Sequence, residues 1–301
     1  MNGGRKGIFI CLATATILSC AGPKKGIKYE PAESLVEILS EFQRQITYDS
    51  YRFPTPKDLA GRNIFKATLV KLNNYEKLYP GRFKQIIAFN KAKSWERLQD
   101  YRRAIKYYKD AEQYMPLKKT ARQNIQICQE FNNLKKQYEK FPGKEPEAVL
   151  ARLDKMIDLW EPLIRKYMGT PYEPLAREER EQLEFARVLF LEKNWFHRSK
   201  GKLLIHNSYR SLIKKHIESK NINRYFIKFG DFYARLAHEY AEEYDPESIH
   251  FNSKDFERLA NYASELYEVP ASKDGIAEKV EAKGKLDALS SYMNYVKELN
   301  Q

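Results

Sequence analysis

From Pro31 to Leu299 the apolar residues recur at intervals of three and four, and no segment alternates apolar with polar. Leu35, Ile38, Leu39, Phe42 and Ile46 make one stripe, and Phe65, Leu69, Leu72, Tyr75 and Tyr79 make a second. Between them Phe53-Pro54-Thr55-Pro56 forces an extended corner, because proline disfavours the helical region for the residue before it. Val149, Leu153, Met156, Ile157, Trp160, Leu163, Ile164 and Tyr167 form a broad face, along which Pro162 predicts a bend. Leu183, Ala186 and Phe190 follow, then Leu204, Leu212 and Ile213, then a series from Ile222 to Tyr240. Ser253 is the expected cap of a helix carrying Phe256, Leu259, Ala263 and Leu266, and a last helical stretch is expected from about Ser272 to Leu299. With only 13 Gly and 13 Pro in 301 residues, long helices are allowed. The expected class is all-α, an α-solenoid of roughly ten helices paired in antiparallel hairpins.

The amino terminus has a different design. Arg5 and Lys6 precede an apolar run from Ile8 to Leu18, which is well short of the roughly 20 residues that span a bilayer. The run ends in Ile17-Leu18-Ser19-Cys20. This segment resembles the lipobox of bacterial lipoproteins, in which the cysteine is acylated and becomes the new first residue. The resemblance implies a signal peptide over 1–19, a lipid on Cys20 as the one attached group, and no other cofactor. Ala21 in place of Asp implies sorting to the outer membrane, facing the periplasm. Residues 20–30, with Gly22, Pro23 and Gly26 beside three lysines, carry no apolar face and read as the lipidated cysteine and its tether. Two or more acyl chains, at about 0.8 kcal/mol per buried methylene, would hold the chain essentially permanently. Once Cys11 is cleaved away and Cys20 lipidated, Cys128 has no disulfide partner within the chain. It lies on an apolar stripe, as a small buried hydrophobe would.

One unit carries a repeat signature. In residues 85–118 the helix-period positions are Ala88, Ala92 and Trp95, then Tyr101, Ala104, Tyr108 and Ala111, with Pro116 closing the unit. The order Ala104, Tyr108, Ala111, Pro116 resembles the second helix of a tetratricopeptide repeat. The same spacing recurs at Ala234, His238, Ala241 and Pro246, and a weaker echo ends in Tyr79-Pro80-Gly81. This divides the chain into tetratricopeptide-like repeats over 31–142 and further helical repeats over 143–301. The turn cluster Phe141-Pro142-Gly143-Lys144-Glu145-Pro146 is either a domain boundary or an ordinary corner between repeats. In that family the first helix of each repeat lines a groove. The resemblance therefore implies a binding face of Phe89, Asn90, Lys93, Glu96 and Arg97, with Asn90 and Lys93 placed to hold a peptide carboxylate.

Charge is unevenly distributed. Residues 57–142 hold 20 basic and 8 acidic side chains, and residues 194–230 hold 9 basic and 1 acidic. Residues 231–301 reverse the sign, with 8 basic and 15 acidic. An exported chain does not meet nucleic acid, so the basic stretches point to acidic protein segments, anionic lipid heads or anionic envelope polymers.

Motifs for chemistry are missing. The five histidines fall between His197 and His250, yet none pairs with another at i, i+4, and His238-Glu239-Tyr240-Ala241-Glu242 lacks the second histidine of a zinc-protease motif. No glycine-rich phosphate loop, nucleophile elbow or paired-cysteine motif occurs, and no metal site is expected. Outer-membrane assembly lipoproteins of the tetratricopeptide type share this plan of anchor, tether and solenoid. The expected role is a non-enzymatic periplasmic scaffold that binds an envelope protein or peptide segment, in outer-membrane assembly or secretion. The alternatives are an accessory that binds an anionic cell-wall or surface polymer, and a cell-wall-acting enzyme.

Overall fold

The structure, a computed structural model, describes residues 30–48, 51–53, 55, 57, 62–139 and 145–300. Cys20, the signal peptide, most of the tether and the junction at 142/143 lie outside these residues. Among the described residues eleven α-helices follow one another: α1 (Pro31–Tyr48), α2 (Ile64–Leu78), α3 (Lys84–Arg97), α4 (Tyr101–Ala111), α5 (Met115–Glu139), α6 (Pro146–Lys166), α7 (Glu173–Trp195), α8 (Gly201–Lys215), α9 (Ile222–Glu243), α10 (Ser253–Ala271) and α11 (Glu278–Leu299). Among the described residues the only extended pairing is one isolated bridge, Lys57 to Asn63. No helix among them is long and apolar enough to cross a membrane.

Three helix starts, those of α2, α4 and α10, are capped by short polar side chains. Asn63 Oδ1 accepts from Phe65 N at 2.9 Å, Asp100 Oδ1 from Arg103 N at 2.9 Å, and Asn252 Oδ1 from Lys254 N at 3.1 Å. Each satisfies an amide that the helix itself leaves without an acceptor. Asn252, not Ser253, is therefore the cap of α10, because an amide oxygen one residue earlier already reaches the free N–H. Pro116 likewise does not end a helix. α4 stops at Ala111, and Pro116 is the second residue of α5, where a missing N–H costs nothing. α6 continues through Pro162. The stretch from Ser272 to Leu299 is not one helix: Gly275, at φ +76°, turns the chain before α11 begins.

Each helix packs mainly against its neighbours in the chain, with next-but-one contacts between α3 and α5 and between α9 and α11. The α3–α4 hairpin shows why its sequence looks as it does. Ala92, Ala104 and Ala111 are fully buried, so the two backbones approach closely, and Tyr108 fills the remaining space edge-on to Phe89 at 5.4 Å. Truncating such a ring costs about 3–5 kcal/mol. The core continues from α5 into α6, where Phe131 meets Trp160 at 5.3 Å and Tyr167 at 5.8 Å, and a single apolar cluster runs from Ala88 to Ala176.

Two stripes differ from the pattern expected. On α8 the buried residues are Gly201, Ile205, Tyr209 and Leu212, while Leu204 faces outward. On α7 they are Leu175, Ala176, Phe185, Val188 and Leu191, together with three carboxylates, while Leu183, Ala186 and Phe190 are only partly buried. Apolar counts miss this register because Tyr209 and three glutamates, polar by type, face inward beside the apolar residues.

Candidate functional site

The five residues assigned to a groove share α3 but not one environment. Phe89 and Glu96 are buried. Glu96 Oε2 accepts from the Tyr108 hydroxyl at 2.9 Å and from Cys128 Sγ at 3.6 Å. Burial pushes the Glu96 carboxyl above its ordinary range, against the lowering charge of Arg97 and the Tyr108 hydrogen bond. Arg97 is nearly buried, and Asn90 Nδ2 is spent on Ile86 O of its own helix at 2.8 Å. Lys93 is half-buried, its Nζ 5.3 Å from the Phe89 ring, and burial holds its pKa below that of a free lysine. The sequence brings these residues into one helix, and the fold turns Glu96 inward as the acceptor of a buried polar cluster with Tyr108 and Cys128.

A second polar cluster is built on α7, whose Glu178, Glu179 and Glu181 are all buried. Glu178 takes Lys220 Nζ at 2.6 Å and Gln99 Nε2 at 3.1 Å, and Glu179 takes Lys135 Nζ at 2.9 Å. Glu181 Oε1 accepts from Ser219 Oγ at 2.5 Å and Tyr225 OH at 2.6 Å, while its Oε2 is buried with no hydrogen-bond partner among the described residues. One turn further on, Glu184 pairs with Arg180 at 3.1 Å, with Lys215 and with His216 Nε2. The other ring nitrogen of His216, Nδ1, meets the hydroxyl of Tyr51.

The short segment Tyr51–Phe53 is thereby fastened to the middle of the fold. Tyr51 O accepts from Lys220 N at 2.9 Å, and Arg52 Nη2 contacts both oxygens of Glu218 at 2.7 Å. Burial first, and then the charge of Glu181, drive the Tyr51 pKa well up, so its hydroxyl stays protonated. It donates to His216 Nδ1, which leaves Nε2–H to donate to Glu184, a tautomer assigned from the network. Beside this clasp lies a cavity of about 340 Å³ with Arg165, Arg177, Arg180 and Lys215 on its walls. These four cations face Glu161, Glu173 and Glu184, which leaves positive charge in surplus.

Helix α8 carries that surplus to the surface. Its basic residues are Lys202, Arg210, Lys214 and Lys215, and it has no acidic residue. Lys202 pairs with Glu239 at 3.4 Å and Lys215 with Glu184, while Arg210 and Lys214 have no ion-pair partner among the described residues. Clefts open on both flanks: one of about 340 Å³ against α6 and α7, and one of about 440 Å³ against α9 and α10.

Cys128 is 1% exposed and its thiol pKa is driven up by burial and by Glu96, the opposite of what a nucleophile needs. His238 is stacked on Tyr292 at 3.9 Å, and His197 Nε2 lies 3.2 Å from Arg235 Nη2. Among the described residues no three His, Cys, Asp or Glu side chains converge as metal ligands. The buried α7 carboxylates were not legible in the sequence, because an acidic run such as Glu178-Glu179-Arg180-Glu181 fits the solvated face of a helix equally well. No protein-family model matches the chain, and no curated protein matches it in sequence.

Proposed function

We propose that this chain is a non-enzymatic, lipid-anchored scaffold of the bacterial cell envelope, an α-solenoid with tetratricopeptide-like hairpins that faces the periplasm from the outer membrane and binds a segment of another envelope protein. The observation that carries this reading is α8: its outer face presents four basic residues and no acid, with a cleft on each flank. Three features support it. The lipobox-like segment ending in Cys20 supplies the anchor, the sequential packing of helix on helix supplies an extended surface, and the paired charges along α7 stiffen it. Binding of an anionic envelope polymer is the second reading, favoured by Arg210 and Lys214, which have no ion-pair partner among the described residues.

Two measurements test the proposal. In a bacterial host fed labelled palmitate, the chain should take up label and sediment with membranes, and Cys20→Ala should lose both. Affinity capture from envelopes should recover a protein partner that Arg210→Glu with Lys214→Glu removes. Recovery of polymer alone, lost as salt rises, would favour the second reading. Undiminished partners with the charge-reversed helix would overturn the role of α8.

A further inference from the structure

The cleft between α8, α9 and α10 has the shape of a trough. Its floor is α9, with Phe232 fully buried and Leu236 beside it, and its walls are Leu203 of α8 and Leu259 and Tyr262 of α10. One end is closed by rings: Tyr233 and Tyr262 have centroids 4.4 Å apart, and the Tyr233 hydroxyl meets His206 Nδ1 at 2.6 Å. Burial and the nearby Arg210 hold His206 below its ordinary range, and burial pushes Tyr233 up to about 12, so this end is neutral at physiological pH. The apolar lining is open to water, with Leu203 60% exposed.

Cations line the rims. Lys202 stands on one wall and Arg258 on the other, each with a single acid at 3.4 Å and 3.1 Å, and Arg210 has no ion-pair partner among the described residues. A neutral apolar floor between basic edges is complementary to a helix whose apolar stripe is bordered by carboxylates.

Resting on the scaffold reading, we infer that the α8–α9–α10 trough is a docking site for an acidic amphipathic helix of a partner protein. The guest lays leucine-type side chains at i, i+3 or i+4 and i+7 against Leu203, Leu236, Leu259 and Tyr262, with its carboxylates against Lys202, Arg210 and Arg258. The mode is helix-in-groove recognition with charge setting orientation and on-rate.

The test is a selection. A displayed library of helical peptides about 15 residues long, with leucine fixed along one face and every other position free among Glu, Lys, Gln and Ala, is panned against the full chain in detergent. Expected is enrichment of Glu beside the leucine stripe. Enriched peptides should lose at least about tenfold in affinity with Leu203→Asp and with Arg258→Glu, but be unchanged with Leu78→Asp, an exposed leucine on α2. Circular dichroism confirms that each variant is folded. Three results overturn the inference: no preference for Glu over Lys, enriched peptides indifferent to Leu203→Asp, or Leu203-dependent binding of phosphatidylglycerol vesicles or of a second copy of this chain instead. If the trough fails while Cys20-dependent envelope capture still returns a partner, the scaffold reading stands. If the trough binds while capture returns none, only the envelope role falls.

Discussion

Gly230 of α9 lies directly beneath the ring of Tyr267 on α10: a β-carbon built on Gly230 would stand 2.5 Å from Tyr267 Cε1 and 2.7 Å from Cδ1. The ring cannot swing away freely, because its hydroxyl donates to Asp231 Oδ1 at 2.8 Å. Glycine in mid-helix costs about 1 kcal/mol relative to alanine, so the fold accepts a weak helix former to bring α9 and α10 together.

Gly230→Ala is therefore expected to destabilise despite its better helix propensity. Overpacking of this kind costs about 1–3 kcal/mol and exceeds the propensity gain. Equilibrium urea unfolding measures it. In a Tyr267→Ala background the clash is gone, and the same substitution should become neutral or stabilising. A destabilisation that persists there would show that the contact is not the cause.

Glu96 gives a pH prediction with a definite sign. Its folded pKa is raised above the unfolded value by burial, so the folded state holds a proton that the unfolded state has released. The associated stability is full below the ordinary carboxylate range and is lost as pH rises through the raised value. Glu96→Gln keeps an acceptor for Tyr108 and removes the titration. It should stay within about 1 kcal/mol of the parent at low pH and lose less stability on going to neutral pH. Glu96→Ala strands the Tyr108 hydroxyl and should cost about 2–4 kcal/mol. Unfolding free energies across pH separate the three chains.

The sequence made some of this structure legible and hid the rest for physical reasons. Ala92, Ala104, Tyr108 and Ala111 announce the α3–α4 hairpin, because small residues one turn apart leave little alternative to close helix packing. Helical spacing likewise exposed the all-α class. Long-range polar contacts left no such trace. Tyr51 meets His216 across 165 residues, and Glu178 and Glu179 gather side chains from three other helices or turns, by tertiary placement that no local period encodes. The groove residues show the same limit: spacing put Phe89 to Arg97 on one helix, but which of them meet water depended on how α4 and α5 close over it.

Asp231 runs opposite to Glu96. Burial would raise its carboxyl, but Lys228 at 2.8 Å, Lys285 at 2.8 Å and the Tyr267 hydroxyl outweigh it and hold the pKa below the ordinary range. The stabilising contribution is present above the unfolded pKa, near 3.9 for aspartate, and is lost as pH falls through the lowered folded value. Asp231→Asn should cost about 1–3 kcal/mol at neutral pH. The gap from the parent should close as the solution is acidified past the carboxylate range. Thermal unfolding at stepped pH reads it, and a constant gap would contradict the charge-based account.

Three of the contacts by which segment 51–53 reaches the α8–α9 turn are of unequal worth. The Arg52–Glu218 pair is more than half exposed on both sides and contributes little, about 0–1 kcal/mol. The Tyr51 hydroxyl on His216 is half-buried and exchanges one water contact for one protein contact, worth about 1 kcal/mol. The third is a backbone bond, Lys220 N to Tyr51 O. The segment belongs to no helix, so its release need not unfold the rest. Tyr51→Phe with Arg52→Ala is thus expected to speed amide exchange at Lys220 by about tenfold, while exchange at the core helices α4 and α9 stays unchanged. Hydrogen exchange followed by residue is the measurement. Equal acceleration at Lys220 and throughout α9 would mean that the clasp opens only with the whole fold, and its independence as a local unit would be refuted.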